Sequence, residues 1–389
     1  MKIIKKLILF ILCLLPAVFF CGCQNYSEIE DSYIVSAIGV DFGENKKYLV
    51  TAEVVGMAQG GEGTTPAPGT LSAEGDTVFG AVHEISTAAA KELFLSQVST
   101  IIISEEVARE GILEILDLVV RDVELRITND VVVAKDCKAY HLLESPSMGE
   151  EIKAFAIRDI LQSGEENTSL SPEVKVYELI NTINSPGISA YLPAFSRIQA
   201  EEKHSLSLSG TAVFKDDKLV DFLGEEDSKI MTMLQGKTKQ TVISVKKGDT
   251  GTGHISPLVF NCDTKLKPEE TKEGIKMSIH LDLELGINEL TGKEDIIDAQ
   301  KRQMLLKDIE QEIKQKAYNL IRYQQMGSGT DIFGFGNKIY KNHSKLWKKI
   351  KGTDYFQNLI PDINVTVKLR STGFINKSPA TYHEGSNVK

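Results

Sequence analysis

The clearest pattern lies between residues 275 and 287. Ile275, Met277, Ile279, Leu281, Leu283, Leu285 and Ile287 alternate with Lys276, Ser278, His280, Asp282, Glu284 and Gly286. Period-two alternation predicts a strand with one core face and one wet face. A second such strand is predicted at 363–369, where Ile363, Val365, Val367 and Leu369 alternate with Asn364, Thr366 and Lys368. Helical spacing marks 77–96, through Val78, Val82, Ile85, Ala89 and Leu93. It recurs after Ser104, through Val107, Ile112, Ile115, Leu116 and Val119. Its longest stretch is 294–325, where Leu305, Ile309, Ile313, Ala317, Leu320 and Ile321 form one apolar stripe. Apolar runs at 34–40, 48–55, 98–103 and 130–134 predict strands, the first two joined as a hairpin. A second hairpin is predicted where 210–214 and 219–223 flank a polar turn. Ser104 is placed to cap the helix behind it, with Glu105 and Glu106 in its first turn. Further helices are predicted at 225–234 and, as two or three pieces, within 136–183; further strands at 240–245 and 254–261.

Interruptions in these patterns divide the chain. Residues 56–69 are rich in Gly, Thr and Pro and predict a mobile loop. A linker is predicted from Ser185, Pro186 and Gly187 through Pro193 to the polar Glu201, Glu202 and Lys203. The mixed order of strands, helices and hairpins indicates α+β, multi-domain, with mixed or antiparallel sheets and packed helices. The expected units are an N-terminal α+β region at 33–195, a C-terminal α+β domain at 205–375 and a polar tail at 376–389.

The N-terminus changes the picture. Lys2, Lys5 and Lys6 precede an apolar run from Leu7 to Phe20 broken only by Pro16. That run is shorter than the ~20 residues a membrane-spanning helix needs. A basic start followed by a short apolar stretch is the pattern of a signal peptide. The segment FCGC at 20–23 resembles the bacterial lipobox, with Gly22 as the small residue before the acceptor. Residues 1–22 are thus expected to be a cleaved signal, Cys23 the lipidated residue, and 23–32 a tether. Two acyl chains at ~0.8 kcal/mol per methylene suffice for stable anchoring.

Charge fits a tethered body. The chain carries 44 Lys+Arg against 54 Asp+Glu, and removing the three Lys of residues 1–22 takes its net charge from −10 to −13. Such a balance argues against nucleic acid as a partner. Beyond Cys13, Cys21 and Cys23 only Cys137 and Cys262 remain. Two cysteines so far apart rarely meet disulfide geometry by chance, and no CxxC suggests zinc or thiol exchange.

Catalytic patterns are weak. His83 and His141, near Glu84 and Glu144, fall outside any HExxH, and read as solvated helix faces. His280, Asp282 and Glu284 share the wet face of one strand. Gly327, Gly329 and Asp331 precede a helix and could offer N–H groups to an anion, but Asp331 would repel it. The basic stretch 341–349 around Trp347 is read as a helix with Leu346 or Trp347 turned inward, with lipid or a partner loop as the other reading. No cofactor motif is present, and the expectation is a protein that is not an enzyme.

With these residues laid out, the chain resembles the Ger(x)C family, the C-subunit lipoproteins of bacterial spore germinant receptors. The resemblance rests on Cys23 and on YIVSAIGVD at 33–41, IIISEEVAREGI at 101–112 and LDLVVRD at 116–122. It continues in VVAKD at 132–136, GTAVFKDDKLV at 210–220, DIFGFG at 331–336, Trp347 with Lys348, and VTVKLRSTG at 365–373. It implies a lipoprotein on the outer face of the spore inner membrane, working beside integral-membrane A and B subunits. Direct binding of a germinant is left open. Only Cys23 carries over as a functional residue. The chain departs from the family at 225–236, where a Thr-Arg-Gly stretch with a Trp is usual. The alternative is a free-standing envelope lipoprotein that captures a small solute.

Overall fold

The computed structural model describes residues 3–4, 32–60, 63–89, 91–146, 150–200, 203–246, 254–290 and 298–371. All of the signal region but residues 3–4, Cys23, the tether up to residue 31 and the tail from 376 lie outside them.

The first half opens with β1 (Ser32–Phe42), β2 (Tyr48–Gly60) and β3 (Gly63–Gly75), then α1 (Val78–Ala88) and the short β4 (Glu92–Phe94). Next come β5 (Thr100–Ser104), α2 (Glu105–Glu110), α3 (Leu113–Arg121) and β6 (Asp130–Ala134). Three helices follow, α4 (Ala139–Glu144), α5 (Lys153–Ser163) and α6 (Val176–Ile183). Then come β7 (Tyr191–Ala200), β8 (Lys203–Lys215), β9 (Lys218–Leu223) and α7 (Glu225–Leu234). The remainder holds β10 (Thr241–Val242), β11 (Val245–Lys246), β12 (His254–Thr271), β13 (Gly274–Leu290) and α8 (Ala299–Met326). It closes with α9 (Phe335–Asn342), α10 (Ser344–Ile350), α11 (Tyr355–Asn358) and β14 (Ile360–Ser371).

Two mixed sheets result. Strands β3-β2-β1-β5-β6-β7-β8-β9 make the larger, with β4 on β1 as its ninth strand; β10-β12-β13-β14 make the smaller, with β11 on β12. The middle of the larger sheet, β1-β5-β6-β7, is parallel, and hairpins flank it on both sides. Parallel strands are covered on both faces, which explains their unbroken apolar runs. Ile101, Ile103, Val131 and Val133 face one core, while Ile102, Val132 and Ala134 face a second core beneath α4 and α5. In the smaller sheet β13 alternates as its sequence dictates: Met277, Ile279, Leu281, Leu283 and Leu285 are all buried under the stripe of α8.

Four expectations are corrected. In the Gly, Thr and Pro-rich stretch, residues 56–60 and 63–69 are strand rather than loop, since β2 and β3 pair as far as Gly60 opposite Gly63. Its prolines are tolerated because β3 is an edge strand. The linker from Ser185 gives way at Tyr191 to β7, whose Leu192, Ala194 and Phe195 are buried. β7 pairs with β8 from Tyr191 opposite Val213 to Ala200 opposite Lys203, so the strands on either side of residues 201–202 are neighbours in the larger sheet. One buried cluster likewise continues from Val35 to Val367. Proline misled the reading, for Pro193 sits inside a strand that meets β6 only at Ala194 and Phe195. The long helix expected behind Ser104 is two helices, broken at Gly111, where φ is +137°. Similarly the helix expected at 77–96 stops at Ala88.

Candidate functional site

Open sheets with parallel strands commonly hold ligands beyond the carboxyl ends of those strands. Here that crevice is filled by the protein itself. Asp41, at the end of β1, is 1% exposed; its Oδ1 accepts the Ala139 N–H at 2.8 Å and its Oδ2 the Tyr140 N–H at 3.1 Å. It caps α4 from 98 residues away. Burial pushes its carboxyl up, and the two N–H bonds resist. Glu53 on β2 does the same for α5: Oε1 accepts the Lys153 N–H at 2.5 Å, and Oε2 accepts the Ala154 N–H at 3.0 Å and the Ser36 hydroxyl at 2.6 Å. Ser104, at the end of β5, caps α2 by accepting the Val107 N–H at 3.5 Å, as its sequence position implies.

A third buried acid follows the same rule. Asp331 accepts the N–H groups of Gly334 and Phe335 on Oδ1 at 2.9 and 3.1 Å, and that of Gly336 on Oδ2 at 2.7 Å. The Tyr355 hydroxyl adds a fourth bond at 3.0 Å. Complete burial pushes this carboxyl up to about 6 against those four donors. The N–H groups of Gly327 and Gly329, considered for an anion, donate instead to the Tyr323 and Gln324 carbonyls, each at 2.9 Å, and the N-terminus of α9 is taken by the side chain of Asp331. Around it Phe333, Phe335 and Phe356 pack with centroids 5.2–6.4 Å apart and are buried, so they serve the interior.

The remaining candidates scatter. His83 is exposed on α1, and His141 Nδ1 accepts the Lys138 N–H at 3.4 Å. Burial lowers the pKa of His141. Asp282, beside exposed His280, is bonded by Lys265 at 3.2 Å. Trp347 is half-buried between Tyr340 and Tyr355, and Lys349 pairs with Glu270 at 2.8 Å; the stretch 341–349 is the end of α9 and most of α10, broken at His343, with Leu346 and Trp347 turned to the core. Cys137 and Cys262 are free thiols, each pushed by burial to about 11. Among the described residues no group of His, Cys, Asp and Glu could hold a metal ion, and no helix is long and apolar enough to cross a membrane.

What stays open is surface. One groove, about 1000 Å³, runs between α1 and α3 over Phe79, Leu113 and Leu118. Phe79 is 57%, Leu113 53% and Val123 99% exposed. A second, about 610 Å³, lies at the opposite end of the parallel strands from Asp41, where β1, β5 and β6 begin. Asp130 sits in its wall, 2.7 Å from Lys175, which also bonds Glu173. Burial pushes Asp130 up and the ammonium of Lys175 opposes the shift. The sequence reading missed both grooves. The signal for the first was present in Phe79, Leu113 and Val123, apolar residues off the helical stripes.

Comparison with known proteins now bears on the whole chain. Residues 25–197 match the spore germination protein N-terminal domain, and residues 209–373 match the C-terminal domain described as spore germination B3/GerAC like. Spore germination protein KC of Bacillus subtilis is 24% identical over 96% of this chain and 97% of its own length. Spore germination protein GerQC of Bacillus cereus is 24% identical over 95% of this chain and 99% of its own. The crystal structure of the GerBC protein superposes with a TM-score of 0.55 at 16% identity, over 86% of this chain and 96% of that one, and shares its fold. The sequence resemblance and these matches agree across both halves, and the chain belongs to the Ger(x)C family of bacterial spore germination proteins.

Proposed function

We propose that the chain is a non-enzymatic, lipid-anchored subunit of a spore germinant receptor, required for nutrient-triggered germination through assembly or signalling with integral-membrane A and B subunits. The observation that carries this reading is the family match over both 25–197 and 209–373, on relatives of nearly the same length. The fold supports it: the buried acids Asp41, Glu53 and Asp331 are each spent on capping a helix. Cys23 holds the protein on the outer face of the spore inner membrane, and 23–32 is its tether. The pairing of β7 with β8 in one sheet speaks against a solute trap hinged between them, whose lobes move apart.

Deletion of the gene, with complementation by the wild-type chain and by Cys23→Ala, tests the reading in spores. The expected result is loss of the response to one or more nutrients, restored by the wild type alone. Solubilised spore membranes should also yield a transporter-like membrane protein with the tagged chain. Cys23→Ala protein that stays in the membrane pellet after a high-salt wash, with its partners absent, overturns the anchor. An unaltered response in the deletion strain, with micromolar binding of a sugar or amino acid to the isolated protein, promotes solute capture instead.

A further inference from the structure

We propose that the groove at the start of β1 seats the headgroup of an anionic phospholipid from the membrane to which the chain is tethered. The proposal takes its orientation from the reading of Cys23 as the anchor.

Topology places the groove. β1, β5 and β6 run parallel, with Ala37 beside Thr100 and Thr100 beside Asp130, so all three begin at one end of the sheet. The groove lies at that end, lined by Ile34, Val55, Phe94, Ile152 and Phe155, all half-buried. Ser32, the first residue of β1, stands nine positions after Cys23. Nine residues span at most ~30 Å when fully extended. The end of the sheet that bears the groove is therefore the end held near the bilayer.

Charge says what fits. The chain as a whole is acidic, at −10, yet the mouth of this groove carries Arg126 and Arg158. Both are exposed, and among the described residues neither has a carboxylate partner. The Arg158 guanidinium lies 4.8 Å from the Phe155 ring centroid, which holds it over the apolar floor. Lys175 adds a third cation, although Asp130 and Glu173 already engage it. In the wall, the buried Nδ2 of Asn129 donates to no acceptor. Guanidinium groups bind phosphate through paired N–H donors, and their stems and stacked rings lie readily against apolar surface. An apolar floor under a rim of free arginines fits an amphiphile with a phosphate: glycerol backbone and upper acyl methylenes below, phosphate at Arg126 and Arg158. A free nutrient such as a sugar would leave both the floor and the cations unused.

The test uses the mature chain, residues 23–389, carrying Cys23→Ser so that no acyl group contributes. It is titrated with dihexanoyl phosphatidylglycerol, dihexanoyl phosphatidylcholine and glycerol phosphate. The expected result is at least tenfold tighter binding of the phosphatidylglycerol than of either other probe. Arg126→Glu with Arg158→Glu should abolish that preference and leave the thermal melt in place. Lys338→Glu with Lys345→Glu, two exposed cations elsewhere, should keep it. Equal binding of the two lipids overturns the proposal. So does an equal loss in the lysine pair, which would mean general electrostatics, and so does glycerol phosphate binding as well as the lipid, which would mean a site for soluble anions. Mass spectrometry of the N-terminal peptide from spores reads the anchor separately. An unacylated Cys23 there removes the orientation argument without touching the titration.

Discussion

Gly187 and Gly336 meet backbone to backbone. A Cβ on Gly187 would stand 2.4 Å from the Gly336 carbonyl carbon, and Gly187 holds φ at +73°. The contact is locked by the Asn337 N–H, which donates to the Gly187 carbonyl at 2.6 Å, and by the Ser189 N–H, which donates to the Asp331 carbonyl at 2.8 Å. The Pro186-Gly187 signal of a linker thus marks a joint between the first half and the base of α9. Gly187→Ala should cost about 3 kcal/mol or more, combining a strained φ with a backbone clash. Gly69→Ala, with open space around its Cβ position, should stay within about 0.5 kcal/mol. Urea melts of the two variants measure the difference, and similar costs would refute the joint.

The helix caps supplied from strands give a second prediction. Asp41→Ala strands the Ala139 and Tyr140 N–H groups, and the expected loss is about 2 kcal/mol, at the upper end for a cap because the site is buried. Hydrogen exchange at the first turn of α4 should quicken more than exchange at β13. Uniform quickening would mean that Asp41 stabilises the chain globally and not through α4.

The register of β13 is tested by neighbours. Leu281 is 1% exposed, so Leu281→Asp should cost several kcal/mol through an unpaired buried charge. Asp282, on the other face, bonds only exposed Lys265, so Asp282→Leu should be mild. Thermal melts showing equal harm would mean that both faces are buried.

Asp331 sets a pH dependence whose sign follows from its environment. Its folded value, about 6, lies above the ordinary 3.8. The folded state therefore holds the proton more tightly than the unfolded state. This favourable contribution is complete below about pH 4 and fades as pH rises through about 6, in all about 3 kcal/mol. Asp331→Asn should lack this decline. Melts from pH 4 to 7 compare the two. If the wild type gains stability relative to Asp331→Asn as pH rises, the four donors hold the carboxylate ionised and the sign is reversed.

These acids also show how much was legible. Periodicity alone located β13 and α8, because a strand or helix against one core writes its own period into the chain. Every stripe residue from Leu305 to Ile321 is buried. The segments YIVSAIGVD and DIFGFG were readable as family marks, but not as machinery. Asp41 and Glu53 act on N–H groups 98 and 100 residues away, a relation that no local pattern encodes. Pairing across 195–205 was hidden for the same reason: β7 reads as a loop by its proline and as a strand only beside β8. Cys23, the one functional residue expected from sequence, lies outside the described residues and remains a proposal.

The pairing of β7 with β8 has a consequence for how the chain can be divided. The two family domains meet near residue 200, and cutting there would strip β7 of its partner from Tyr191 to Ala200. An unpaired edge of that length is a template for other strands. A fragment ending at 200 would therefore tend to oligomerise edge to edge, while one carried on through Leu223 closes with the β8–β9 hairpin. The two halves are one sheet for the purposes of solubility, whatever their separate histories as domains.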